Sequence, residues 1–222
     1  MKKLLFAIFA LCTVQLSAAQ PSVDPSELVG RSHTERSVQL ALFYKYEAAK
    51  LDSAALFQFA EELDRLATSN KDTDLHWEAE LVRANYYYFH HSQRERSLSY
   101  LSLLAAEKAP KWFIARMENM LGYYYLNWMG EIEQGLFHFA RAVDLLGNED
   151  GMDYPYRQKF LYHLGTHLCG FSSYGNALDH LREAIATESP EVDGFDYRIH
   201  IFNTMGYAFR KLNQLDSSDH YF

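Results

Sequence analysis

Apolar and polar positions from residue 35 onward follow the three- and four-residue spacing of amphipathic helices, without the two-residue alternation of strands. The same order of side chains also returns at intervals of about 40 residues. Small residues form a first column at Ala41, Ala84, Gly122, Gly165 and Gly206, each followed three positions later by a large side chain. A second column follows 12 to 14 residues after the first, at Ala55, Ser97, Gly135, Ala177 and Ser218. These columns predict five units of two helices each.

The predicted helices alternate with short connections. They cover 35–50, 53–68, 73–90, 94–107, 111–128, 132–146, 155–171, 174–187, 196–212 and 216 to the last residue. A small residue in the first helix of a pair lets the second helix approach closely, and a large residue one turn later fills the groove beside it. The fold is therefore expected to be all-α.

The fourth unit carries the most specific motif, and the third and fifth units follow it closely. Its residues are Leu161, Leu164, Gly165, Leu168, Tyr174, Ala177, Leu178, Leu181, Ala184 and Pro190. The motif resembles the tetratricopeptide repeat (TPR), although units of about 41 residues exceed the roughly 34 of that family. The resemblance implies a right-handed α-solenoid of about five TPR-like helical hairpins over 35–222, with longer connections. It also implies a protein- or peptide-interaction module.

The amino-terminal residues have the composition of an export signal. Lys2 and Lys3 precede an apolar run over 4–16, and Ser17-Ala18-Ala19 supplies the small residues of a cleavage site. Residues 1–19 are therefore predicted to be a signal peptide, 20–34 an N-terminal linker and 35–222 the repeat array. The apolar run is shorter than the roughly 20 residues of a membrane span. The leader directs the chain to the periplasm or cell envelope, whether it is cleaved or retained as an anchor.

Charge and cysteine content narrow the function further. The chain has 21 Lys and Arg against 29 Asp and Glu, a net charge of −8, which disfavours nucleic-acid binding. Without the leader Cys169 is the only cysteine, which is expected to be a small buried side chain rather than part of a disulfide. No phosphate-binding loop or nucleophile motif is present, so neither an enzyme nor a cofactor is expected.

Tyrosines and asparagines on the first helices form the predicted partner-binding groove. The candidate residues are Asn85, Tyr88, Asn119, Tyr123, Tyr162, Asn203, Tyr207 and Arg210. These residue types combine large contact area with hydrogen bonding, as in peptide-binding surfaces. Aromatic packing explains the tyrosines equally well. Positive charge in the groove is expected only from Arg210 and Lys211, near its far end.

His163 and His167 stand four residues apart on one helical face, which is the spacing of a two-histidine metal site. No third ligand is placed by the sequence, so packed histidines are favoured over a metal-binding site.

The repeats, leader and long connections resemble the N-terminal sensor regions of bacterial TPR-containing signalling proteins. In that resemblance a membrane helix follows, leading to a histidine kinase, a cyclase or a helix-turn-helix transcriptional regulator. The array is accordingly expected to stop within its last hairpin, because Tyr221-Phe222 leaves the final apolar face without a capping helix. One alternative is a stand-alone periplasmic scaffold for envelope assembly. A metal- or small-ligand-binding protein using His163 and His167 is the other.

Overall fold

A computed structural model describes residues 23–89, 109–147, 155–187 and 196–221. Within these ranges the chain forms nine α-helices and no strand, which confirms the all-α prediction. The helices are α1 (His33–Tyr46), α2 (Ser53–Asn70), α3 (Thr73–Phe89), α4 (Lys111–Tyr124), α5 (Ile132–Leu145), α6 (Arg157–Gly170), α7 (Tyr174–Ala186), α8 (Tyr197–Lys211) and α9 (Leu215–Tyr221). Each begins within two residues of a predicted start. The helix predicted over 94–107 lies outside the described residues.

Consecutive helices pack most extensively in the pairs α2–α3, α4–α5, α6–α7 and α8–α9. A residue with positive φ ends the first helix of each pair, and the second helix begins two positions later; these residues are Lys71, Gly130, Ser172 and Asn213. In three of the turns the next amide donates to the carbonyl five residues before it, at 2.9 Å: Asp72 to Ala67, Ser173 to Leu168 and Gln214 to Phe209. This bond is the mark of a Schellman motif.

The α4–α5 turn differs by one residue. Here α4 continues as a π-helical turn over Tyr125–Met129, and the amide of Glu131 donates to the carbonyl of Tyr125, six residues before it. The π turn accommodates the extra residue that separates Gly122 from Gly135 relative to the following unit.

The first predicted hairpin has a different partner from the one expected. The backbone of α2 packs along α3 rather than along α1, although the rings of Phe43 and Phe59 still stack at 4.7 Å. Helix α1 ends at Tyr46, and a 3₁₀ turn (Ala48–Lys50) precedes α2. This longer connection holds the two helices apart, whereas the tight turn at Lys71 folds α3 back onto α2.

The small residues of the later units lie where paired helices meet. A Cβ atom at Gly122 would lie 2.7 Å from the ring of Phe139, and one at Gly165 would lie 2.7 Å from Leu181. In the last pair the Ser218 hydroxyl donates to the Gly206 carbonyl at 3.0 Å. The two predicted columns therefore contact each other in three successive pairs.

Helix α3 lies between two apolar clusters. Leu75, Ala79 and Val82 face a cluster formed with α1 and α2, while Trp77 and Leu81 face the larger cluster that extends to α8. None of the described helices combines the length and the apolar character that crossing a membrane requires.

Candidate binding cavity and groove

Four elements surround a cavity of about 290 Å³ near the middle of the chain. They are α1, α3, α4 and the start of α6, which are the first helices of the four predicted units from the amino terminus. Three cationic side chains line this cavity: Lys45, Arg116 and Lys159. This corrects the expectation that only Arg210 and Lys211 bring positive charge to the groove.

Arg116 is the most firmly held of these cations. Its Nη1 atom lies 3.2 Å from Glu78 Oε2, and Glu78 is fully buried. The guanidinium also lies over two rings, 4.6 Å from the centroid of Tyr156 and 5.5 Å from that of Tyr44. Burial raises the pKa of the Glu78 carboxyl, and the charge of Arg116 opposes that effect. The charged group is therefore fixed in position before any ligand arrives.

The two tyrosines of the cavity differ in their hydrogen bonding. The Tyr156 hydroxyl donates to the backbone carbonyl of Ser37 at 3.3 Å and so connects α6 with α1. The Tyr44 hydroxyl is buried and has no hydrogen-bond partner. Burial raises the pKa of Tyr44 far above its usual value, so the hydroxyl keeps its proton and acts as a donor.

Asn85 and Asn119, both predicted to line a groove, lie in the wall of this cavity. The Asn85 amide donates to the Leu81 carbonyl at 2.8 Å, and Asn119 Oδ1 lies 3.0 Å from His163 Nδ1. With Oδ1 as acceptor, the proton of the neutral imidazole is on Nδ1.

The histidine pair packs inside the helix layers. His163 is buried, and burial, with smaller contributions from the positive charges of Lys159 and His167, holds its pKa well below the usual value. The His167 ring stacks on Phe139 at 4.7 Å, and burial lowers its pKa as well. One ring is therefore committed to Asn119 and the other to aromatic stacking, an arrangement typical of packed histidines rather than of metal ligands.

Other predicted groove residues lie on the first helices between the cavity and α8. Tyr123 is partly buried, with ring contacts to Phe139 at 5.0 Å and to His163 at 5.1 Å. Tyr162 contacts Tyr197 at 5.5 Å. Both tyrosines thus combine the packing role and the groove position that the sequence left open. The side chain of Tyr88 lies outside the described residues.

Asn203, Tyr207 and Arg210 are exposed on one stripe of α8, which also includes Ile199. The side chain of Ile199 is 59% exposed and that of Tyr207 is 44% exposed. Spacings of four, four and three residues place all four on the same face of the helix. We call these four residues the α8 stripe.

The cavity cations were missed because each stands among polar helix residues without a motif. A signal exists in the repeat: Glu78, Arg116 and Lys159 all stand six positions before the small residue of their unit. That position faces the cavity or its immediate surroundings in three successive first helices, so a charged residue there is buried rather than solvated.

Asp64, His76 and Glu80 form the one group of potential metal ligands among the described residues. His76 Nδ1 lies 2.8 Å from Asp64 Oδ1, and Arg83 forms ion pairs with both carboxylates. The guanidinium already supplies the positive charge that a metal ion would bring. This cluster is best described as an ion-pair network that joins α2 to α3.

Cys169 is buried as predicted, and burial raises the pKa of its thiol to about 11. Its low thiolate content excludes it as a nucleophile near neutral pH.

Comparison with protein-family models, with curated proteins and with solved structures gave no match. The interpretation of function therefore depends on the geometry described above.

Proposed function

We propose that this chain is a non-enzymatic protein- or peptide-interaction module of the cell envelope, built as a right-handed α-solenoid of TPR-like hairpins. In this proposal it is the exported sensor part of a longer signal-transduction protein. The repeated Schellman turns and the repeated contact between small-residue columns support the solenoid, because equal units stacked by equal contacts build a superhelix.

The observation that carries the binding function is the α8 stripe. It presents an aliphatic side chain, an amide, a tyrosine and a guanidinium to solvent on a single helical face. Tyrosine and arginine are the residue types most enriched among the dominant contacts of protein interfaces. Tyr162 on α6 lies 6.3 Å from the ring of His200, one residue after Ile199, so the stripe adjoins the predicted groove.

The proposal is tested by selecting peptides from a random displayed library against the purified chain and measuring their affinity by calorimetry. Replacing Tyr207 by Ala or Arg210 by Ala should weaken a selected peptide by about tenfold or more, since such truncations often cost about 2 kcal/mol. Tyr46→Ala is the matched control, because Tyr46 is 51% exposed but lies on α1. Equal losses for Tyr207→Ala and Tyr46→Ala, or none for either, would contradict this use of the α8 stripe.

A further inference from the structure

The cavity between α1, α3, α4 and α6 concentrates positive charge inside an acidic protein. Lys45, Arg116 and Lys159 line it, and none of its described lining residues carries a carboxylate. Glu78 pairs with Arg116 and cancels at most one of the three charges, so an excess of at least two remains. Because the whole chain has a net charge of −8, this local excess is opposite in sign to its surroundings and favours an anionic ligand.

The Tyr44 hydroxyl supplies an independent observation that points to a ligand. It belongs to the cavity lining, it is buried, and it has no hydrogen-bond partner. A buried donor without an acceptor costs folding free energy, and a ligand oxygen placed next to it would recover that cost. The Arg116 guanidinium lies 5.5 Å from the Tyr44 ring, so the hydroxyl and a bidentate cation serve the same small volume. Together they match the two oxygens of a carboxylate.

The remaining lining is apolar and the enclosed space is small. Ala41, Met120 and Phe160 provide surface for a hydrocarbon body. The volume of about 290 Å³ exceeds the roughly 150 Å³ of a cavity that holds benzene, so a ring with a short acidic chain fits. The hydrogen bond from Tyr156 to Ser37 joins α6 to α1 at the cavity, which obstructs a long extended chain more than a compact molecule.

We propose that this cavity binds a free, small carboxylic acid with an apolar body, of the aryl-alkanoic type. The carboxylate contacts Arg116 and the Tyr44 hydroxyl, with Lys45 and Lys159 adding long-range attraction, while the hydrocarbon body packs on Met120 and Phe160. This binding is separate from the protein partner proposed above, because it uses the cavity and not the α8 stripe.

Calorimetric titration with 3-phenylpropionate and with its neutral amide, 3-phenylpropionamide, tests this assignment. The two probes have almost the same shape, so only the charge distinguishes them. We expect the acid to bind and the amide to bind about tenfold more weakly or not at all. Tyr44→Phe and Lys159→Gln should each weaken the acid several-fold. Tyr44→Phe removes a hydroxyl without a partner, so circular dichroism should show an equally stable fold.

Matched controls separate this proposal from the function assigned to the α8 stripe. Lys211→Gln, an equal change of charge on α8, should leave 3-phenylpropionate binding unchanged, and so should Tyr207→Ala. The assignment is overturned if neither probe binds, if acid and amide bind equally, or if Tyr44→Phe has no effect. Equal or tighter binding of inorganic phosphate would remove the apolar body from the assignment. Tighter binding of N-acetyl-alanyl-alanyl-phenylalanine would transfer the cavity to a peptide terminus and overturn the free acid.

Discussion

Gly122 and Gly165 are the points where paired helices come closest. A methyl group at either position would lie within 3 Å of a side chain on the facing helix. The contact at Gly165 involves Leu181 near its branch point, and the backbone carbonyl of Ala177 lies 3.3 Å from the same hypothetical Cβ. Glycine at this position is therefore required by packing and not by backbone conformation.

Gly165→Ala is expected to lower the free energy of unfolding by about 1–3 kcal/mol, because the added methyl group overpacks the α6–α7 contact. Gly175→Ala is the matched control. Gly175 lies in α7 with open space around its Cα, so alanine there should be neutral or stabilise by up to about 1 kcal/mol through helix propensity. Urea unfolding of both variants measures the difference. Destabilisation of equal size in the two would show that packing at Gly165 is not the cause.

At the scale of helices and their connections, one turn type recurs four times. The residue that ends the first helix has positive φ in each case, yet only Gly130 is a glycine; Lys71, Ser172 and Asn213 hold the other three positions. A side chain in this left-handed region is strained, most for residues other than glycine and asparagine. The chain therefore accepts a small local cost at Lys71 and Ser172 in return for the reversal that pairs the helices.

Ser172→Gly should raise the free energy of unfolding, and Gly130→Ala should lower it, by about 1 kcal/mol each. Neither change alters a close contact, because Gly130 has nothing within 4 Å and Ser172 is exposed, so only the backbone preference differs. Thermal or urea unfolding measures both. Ser173→Gly, one residue further on where φ is negative, should instead be neutral or destabilising. A stabilising effect at both serines would indicate that strain at Ser172 is not what glycine relieves.

For the whole molecule, α3 connects two apolar clusters that otherwise share few elements. Its two faces are buried against different neighbours, whereas α9 at the other end contributes one buried residue, Ser218. In an array whose units contact mainly their neighbours, stability varies along the chain rather than being uniform.

Hydrogen exchange measured by mass spectrometry should therefore be slowest in peptides covering 75–84 of α3 and fastest in those covering α9 (Leu215–Tyr221). The expected order follows from burial on both faces of α3 and on a single side of α9. Equal protection in the two regions would mean that the molecule opens as one unit, and the gradient would be refuted.

Helix positions followed from the sequence because they depend on local chemistry. The three- and four-residue spacing placed every described helix within two residues of its start, and the small-residue columns identified Gly122 and Gly165 as contact points. Burial of Cys169 and packing of the histidine pair also followed, since an isolated thiol and two imidazoles without a third ligand lack the partners that reactivity or metal binding requires.

Pairing of α2 with α3 was decided only by the tertiary structure. Two chain reversals compete for α2, and the tight turn at Lys71 prevails over the longer connection after α1. The cavity was likewise invisible in the sequence, because Lys45, Arg116 and Lys159 are separated by up to 114 residues and converge only when four helices pack together. Periodicity reports which face of a helix is buried, but not which charged side chains from distant helices will share a space. That convergence depends on the packing of the whole chain.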